Sequence, residues 1–170
     1  TGTAEKDVVM ELDGHSYVFD AEGRGSILKS LTYMNRYANG DIMAWYESTY
    51  DENGNELRYT EYNEDGTISW YDEMEYDANN NQLSMKTYYK EGVVSKAKYY
   101  EYDANNNMVK SILCDSDNKV TGTNWMSYDD KNNLISVIHC DGDSATAVSW
   151  REEYEYDDNG NQIKMSYYYG

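Results

Sequence analysis

No proline stands anywhere in the 170 residues, and phenylalanine occurs once. A chain without proline, yet rich in tyrosine, is not a disordered tail or a stiff linker. Basic side chains are scarce as well, with 14 Lys and Arg against 32 Asp and Glu and a formal net charge of −18. Phosphate backbones are gripped by clustered Lys and Arg, so nucleic acid is excluded as a partner, and an anionic membrane surface is disfavoured. No apolar run approaches the roughly 18 residues of a membrane-spanning helix. Two cysteines do not make a disulfide framework. Two histidines, His15 and His139, lie far apart, and no Ser or Cys stands in a nucleophile motif, so the expectation is a chain that is not an enzyme and carries no cofactor.

What is abundant is tyrosine, at 20 residues, together with Asn and Gly. The pair Tyr-Asp recurs at Tyr50, Tyr76, Tyr102, Tyr128 and Tyr156, spaced by 26, 26, 26 and 28 residues. A fixed period of this kind marks a repeat array. After each Tyr-Asp comes a turn-forming stretch such as E-N-G-N (52–55) or A-N-N-N (104–107), and a second turn class, such as E-D-G-T (64–67), lies between. Asn, Asp and Gly accept positive φ and cap their own backbone, which is why they gather at reversals. The 7–10 residues between turns have strand length.

The spacing therefore predicts an all-β protein: sequential antiparallel hairpin repeats, about 12–13 strands in one extended, twisted or partly rolled sheet. Residues 1–170 are read as one repeat domain, with divergent hairpins over 7–44 and five Tyr-Asp repeats over 45–170. Residues 7–20 carry Asp13-Gly14 between apolar alternations, a strong hairpin signal. Residues 26–37 show both helical and alternating spacing and are read as a strand, bulged or not. Edge strands are expected to be guarded by charge.

A four-residue loop after each Tyr-Asp would set Tyr50 against Leu57, Tyr102 against Val109 and Tyr156 against Ile163. Further from the turn, it sets Ser48 against Tyr59, Tyr100 against Ser111, and Glu101 against Lys110. Cys114 and Cys140 hold one place in adjacent repeats, two strands or about 9–10 Å apart, too far for a bridge, so two free thiols are expected.

On this register Trp45, Tyr62, Tyr71 and Tyr88 share one face and offer rings that could stack on sugar or peptide. Tyr99, Ile112, Trp125 and Ile138 follow one another on the same face as an apolar patch, covered by another segment, buried by curling or used for a partner. The turn pattern Asp-x-Asn-x-Asn (Asp51, Asn53, Asn55 and Asp157, Asn159, Asn161) matches the opening of a calcium loop, but the acidic residue expected at its twelfth position is Tyr62 or Tyr168. Turn-forming chemistry is the stronger reading of those residues.

The stretches Y-E-Y-D-A-N-N-N-M-V (100–109) and Y-E-Y-D-D-N-G-N-Q-I (154–163) resemble YD repeats, as in Rhs-type and teneurin-like proteins. The resemblance covers about residues 45–170. It implies a bacterial, secreted or cell-surface, non-catalytic protein built of sequential hairpins. The arginine that commonly follows the turn glycine in that family is Asn55 or Asn161 here, so only the scaffold carries over. A shorter stretch, G-H-S-Y-V-F-D-A-E-G (14–23), resembles one cell-wall-binding repeat. The expected function is a scaffold or protein-interaction surface. The alternative is a module binding cell-wall glycan through its aromatic rows; calcium-binding turns and a glycoside hydrolase stand behind both.

Overall fold

Asn and Gly at fixed intervals decide where this chain reverses. In the computed structural model, positive φ occurs at Gly40, Gly54, Gly66, Asn80, Gly92, Asn106, Asn118 and Asn132, alternately 14 and 12 residues apart, and again at Gly142 and Gly160. Only glycine, and asparagine after it, enters this region at low cost.

The structure describes residues 8–12, 15–19, 25–26, 30–40, 42–89, 92–144 and 146–170, with side chains described from residue 35 onward except at 42. Three strands form a small sheet in the order β1-β2-β3: β1 (Val8–Leu12), β2 (His15–Phe19) and β3 (Gly25–Ser26). Eleven form one sheet in strict sequence order: β4 (Ser30–Arg36), β5 (Ile42–Tyr50), β6 (Glu56–Asn63), β7 (Ile68–Tyr76), β8 (Gln82–Tyr89), β9 (Val93–Tyr102), β10 (Met108–Cys114), β11 (Val120–Tyr128), β12 (Leu134–Asp141), β13 (Val148–Tyr156) and β14 (Gln162–Tyr169). Within each sheet every strand lies beside its sequence neighbour, as sequential hairpins require, and no helix occurs among the described residues. The first hairpin thus belongs to a sheet of its own and not to the array. Its register, Leu12 opposite His15, leaves two residues for the reversal, as Asp-Gly predicts. Asp13 and Gly14 themselves lie outside the described residues, as do residues 20–23 of the cell-wall-binding-like stretch.

The 26–37 segment resolves as a strand over Ser30–Arg36, with a register shift after Asn35. The chain divides into two compact units, Thr1–Glu75 with Thr87–Val93, and Tyr76–Lys86 with Val94–Gly170.

The loops correct one detail of the expected register. The Asp51 N–H donates to the Asn55 carbonyl at 2.9 Å, and the Gly54 N–H to the Asp51 carbonyl at 3.2 Å. The loop therefore closes on three residues, a type I turn followed by a left-handed residue. Tyr50 then faces Glu56, not Leu57, and one step further Thr49 faces Arg58. Leu57 is the extra residue of a bulge. Val109, Ile135 and Ile163 take the same place after their own turns, so Tyr102 faces Met108, Tyr128 faces Leu134 and Tyr156 faces Gln162. A three-residue loop plus a one-residue bulge gives the same offset as a four-residue loop. Beyond the bulge the expected pairs accordingly stand: Ser48 with Tyr59, Tyr100 with Ser111, Glu101 with Lys110, Thr123 with Cys140 and Tyr154 with Met165.

The best-buried side chains are mostly small. Ser48, Thr60, Ser84, Thr87, Ala97, Cys114, Thr123 and Cys140 are buried, joined by Tyr71 and Met74. Short side chains sink between long neighbours on the same face, which is how tyrosine-rich strands bury area. Both cysteines are free, as their spacing predicts.

Candidate functional site

Trp45 on β5 and Tyr62 on β6 are directly opposed, and their rings stack with centroids 5.0 Å apart and planes inclined by 14°. Tyr71 on β7 and Tyr88 on β8 stack more closely, at 4.6 Å and 11°. All four residues lie in the first compact unit, as two stacked pairs. The Arg58 guanidinium sits 3.9 Å from the centre of the Tyr71 ring, with Nε donating to Thr60 Oγ1 at 3.2 Å and Nη1 3.4 Å from Glu73 Oε1. Tyr62 donates its hydroxyl to Glu47 Oε2 at 2.9 Å. Burial, reinforced by Glu47, holds the Tyr62 phenol above its ordinary range, and burial with Glu73 does the same for Tyr88.

This geometry bears on sugar binding. A pyranose stacks on the open face of an aromatic ring. Here each of the four rings gives one face to its cross-strand partner, and Tyr71 also carries Arg58 and is buried. The arrangement stabilises the sheet, by about 0.5–1.5 kcal/mol per aromatic pair beyond area burial.

An open groove of about 820 Å³ lies next to these rings, bordered by Arg58, Asn63, Asp65, Thr67, Ile68, Tyr71 and Gly92. Its polar groups are already paired. Asn63 Nδ2 donates to Thr67 Oγ1 at 3.0 Å, and Thr67 Oγ1 donates to Asp65 Oδ1 at 2.6 Å. That hydroxyl holds the Asp65 carboxyl below its usual value. Nothing in the residue pattern beyond the second turn class signals this groove.

The second candidate patch is arranged differently from the expected single file. Tyr99 faces Ile112 across β9 and β10, and Trp125 faces Ile138 across β11 and β12, but Ile112 faces Thr123, and Trp125 faces Lys110. The two pairs are offset by one row because successive reversals shift the register. All four residues are half-buried. Lys110 Nζ lies 4.6 Å from the centre of a Trp125 ring and 3.3 Å from Glu101 Oε1. Among the described residues, the buried Trp125 indole N–H has no hydrogen-bond partner.

At the turns, the candidate cation ligands form caps. Asp51 Oδ1 accepts from the N–H groups of Asn53 and Asn55 at 2.8 and 2.9 Å, and Oδ2 accepts from Asn55 Nδ2 at 2.9 Å. Asp157 repeats this with Asn159 and Asn161 at 2.8–2.9 Å. Both carboxylate oxygens thus face N–H donors, the reverse of the oxygen-lined pocket that a hard cation needs. The Asn amide is the largest influence holding each turn Asp below its ordinary pKa.

The residue reading missed what the tyrosine of Tyr-Asp does. Tyr102, Tyr128 and Tyr156 donate their hydroxyls to the backbone carbonyls of Gln82, Met108 and Leu134 at 3.0, 2.8 and 2.8 Å. Each acceptor is the first residue of the strand after the preceding Tyr-Asp turn. Turns also touch. Asn81 Nδ2 donates to Asn106 Oδ1, and Asn107 Nδ2 to Asn132 Oδ1, both at 2.9 Å. The recurring 26-residue spacing was the available signal, since equivalent turns must meet on one edge of the sheet.

No protein-family model and no curated protein matches the chain. Among solved structures, it is similar to a chain of the Photorhabdus luminescens Tc holotoxin pore carrying the TccC3-D651A mutation, at 19% identity and a TM-score of 0.52 over 92% of this chain and 9% of that one. The complex TcdB2-TccC3-Cdc42 follows at 16% identity and a TM-score of 0.47 over 91% of this chain and 10% of that one. A porin-like protein from Bacteroides uniformis follows at 9% identity and 0.42, over 95% and 74%. The last two likenesses are too loose to carry an argument. The chain thus spans about a tenth of the toxin chains it matches, and the first of them supports a YD-repeat-like fold.

Proposed function

We propose that this chain is a non-catalytic hairpin-repeat module of a secreted or cell-surface protein, serving as a scaffold that offers a surface to another protein. The observation that carries this reading is the hydroxyl-to-carbonyl link of Tyr102, Tyr128 and Tyr156. The most regular side chains of the array are committed to joining one repeat to the next. Such a chain is built to extend and be extended, as in other linear repeats. The Tc holotoxin chain with the same fold, itself far longer, is a component of a multi-protein assembly by its description, and a structural role fits that setting. High net negative charge suits an exposed, soluble surface.

Two experiments test the proposal. Fractionation of the source cells with an antibody to the chain should place it outside the cytoplasm; recovery from the cytoplasm alone would overturn the location. Calorimetric titration with cell-wall glycans should give no saturable heat. Saturable heat that disappears in Trp45→Ala would replace the scaffold reading with the carbohydrate one.

A further inference from the structure

We infer that the sheet face carrying Tyr46, Tyr59 and Trp70 docks an arginine-bearing segment of another polypeptide, with a guanidinium laid on Trp70 and paired to Glu61. This deepens the reading of the chain as an interaction scaffold and rests on it. The residues lie in the first compact unit, on β5, β6 and β7, each of which has a strand on both sides. Side chains alternate along β6, so Tyr59 and Glu61 stand on the face opposite Arg58, Thr60 and Tyr62. There Tyr59 stacks on Tyr46 at 5.6 Å and 26°, and meets Trp70 at 5.2 Å and 38°. Glu61 faces Tyr46 on one side and Trp70 on the other, and Tyr59 faces Asp72. All five residues are half-buried.

The rest of the chain shows what such a pairing of ring and carboxylate holds. The Arg58 guanidinium lies 3.9 Å from the centre of the Tyr71 ring and 3.4 Å from Glu73. Lys110 lies 4.6 Å from Trp125 and 3.3 Å from Glu101, and Arg151 lies 4.7 Å from Tyr168 and 3.2 Å from Glu153. In each case one cation serves a ring and a glutamate together. At Trp70 the ring and the glutamate are present without the cation. Among the described residues, the Glu61 carboxylate has no ion pair or hydrogen bond, and Trp70 has no ring contact besides Tyr59 and no cation against it. The one basic residue of β5, β6 and β7 is Arg58, on the opposite face. Asp72 already accepts from the Thr87 hydroxyl, which leaves Glu61 as the carboxylate to be paired. The local field is negative: burial first, then Tyr46 and the charges of Glu61, Glu56 and Asp72, push the Tyr59 phenol up to about 12. A half-buried carboxylate beside rings is best met by a planar, weakly hydrated cation that stacks and hydrogen-bonds at once, which selects arginine over lysine. The net charge of −18 draws a basic segment to this face and disfavours a second copy of the chain.

The probe is the peptide acetyl-Gly-Arg-Gly-Arg-Gly-amide, titrated into the intact, isotope-labelled chain at physiological salt while NMR follows the four tryptophan indole N–H signals. The Trp70 signal, assigned through Trp70→Phe, should move saturably, and those of Trp45 and Trp125 should stay. The same peptide with citrulline for arginine, neutral but alike in shape, should not bind. Glu61→Gln should weaken binding about fivefold. Glu52→Gln, which removes the same charge from an exposed turn, should leave it unchanged. Circular dichroism of Glu61→Gln checks that the sheet survives, and the citrulline comparison needs no variant. A Trp70 signal that does not move, or binding that the citrulline peptide retains, would overturn the inference. Equal losses in the two Gln variants would overturn it too, leaving only the attraction of any cation to an acidic chain. So would movement of the Trp70 signal as the peptide-free chain is concentrated, because the occupant would then be a second copy. The fractionation and glycan experiments read out without Trp70, so the scaffold reading and this face can fail separately.

Discussion

The hydroxyl of Tyr128 donates to the backbone carbonyl of Met108 at 2.8 Å, from one Tyr-Asp turn back to the strand that leaves the turn before it. Burial holds the Tyr128 phenol above its usual pKa, reinforced by the Asp103 charge. The hydroxyl therefore stays protonated and remains a donor. Tyr128→Phe keeps the ring and removes only this bond, so it should cost about 0.5–1.5 kcal/mol. Urea unfolding followed by circular dichroism measures it. A variant as stable as the parent would reduce the link to an incidental contact.

Asn118 isolates the cost of the left-handed backbone. Its φ is 60°, and its N–H donates to the Asp115 carbonyl at 3.1 Å across the turn. Asn118→Gly should leave the melting temperature unchanged or raise it, and Asn118→Ala should destabilise by about 1 kcal/mol, since alanine has neither glycine's freedom nor the short polar side chain. Equal melting temperatures for the two variants would show that the turn does not depend on this φ.

These two residues also mark what could be read before any coordinates. Reversals were legible because Asn and Gly carry their conformational preference locally, and Gly54 and Asn106 turn where the pattern places them. Register beyond the turns was legible because side-chain complementarity such as Glu101 with Lys110 survives only one alignment. The bulge at Leu57 was hidden, because loop and bulge lengths enter only as their sum. Ring orientation was hidden for a different reason. Alternation puts Trp45 and Tyr62 on one face but does not say that they lie face to face at 5.0 Å. The short strand Gly25–Ser26 had no apolar alternation to betray it.

The thiols give a third expectation. Cys140 is fully buried and Cys114 nearly so, and burial, with Asp115 and Asp143 adding to it, pushes the Cys114 thiol above its usual pKa. Thiolate is the reactive form, so both residues should resist a thiol reagent in the folded chain and react fully in denaturant. Mass spectrometry of native and denatured samples counts the labels. Rapid labelling of either cysteine in the native chain would contradict its burial.

Acid provides the last test, through the five turn aspartates Asp51, Asp77, Asp103, Asp129 and Asp157. Each has its carboxyl held below the ordinary 3.8, with the side-chain amide of the Asn four residues on as the largest cause. A group whose pKa falls on folding lends its stability in full above the unfolded value, and loses it as pH drops through the folded value. The caps should therefore hold down to about pH 4 and fade below it. Protonation of other carboxylates relieves the repulsion of a strongly acidic chain over the same range and works in the opposite direction. Comparing variants removes that background. Asp103→Asn cannot accept the same charge-assisted bonds from Asn105, Asn107 and the Asn107 amide. Its deficit in urea midpoint against the parent should be constant near neutral pH and shrink as the pH is taken below about 4. A deficit that stays the same down to about pH 2 would mean that Asp103 acts through its shape and not its charge.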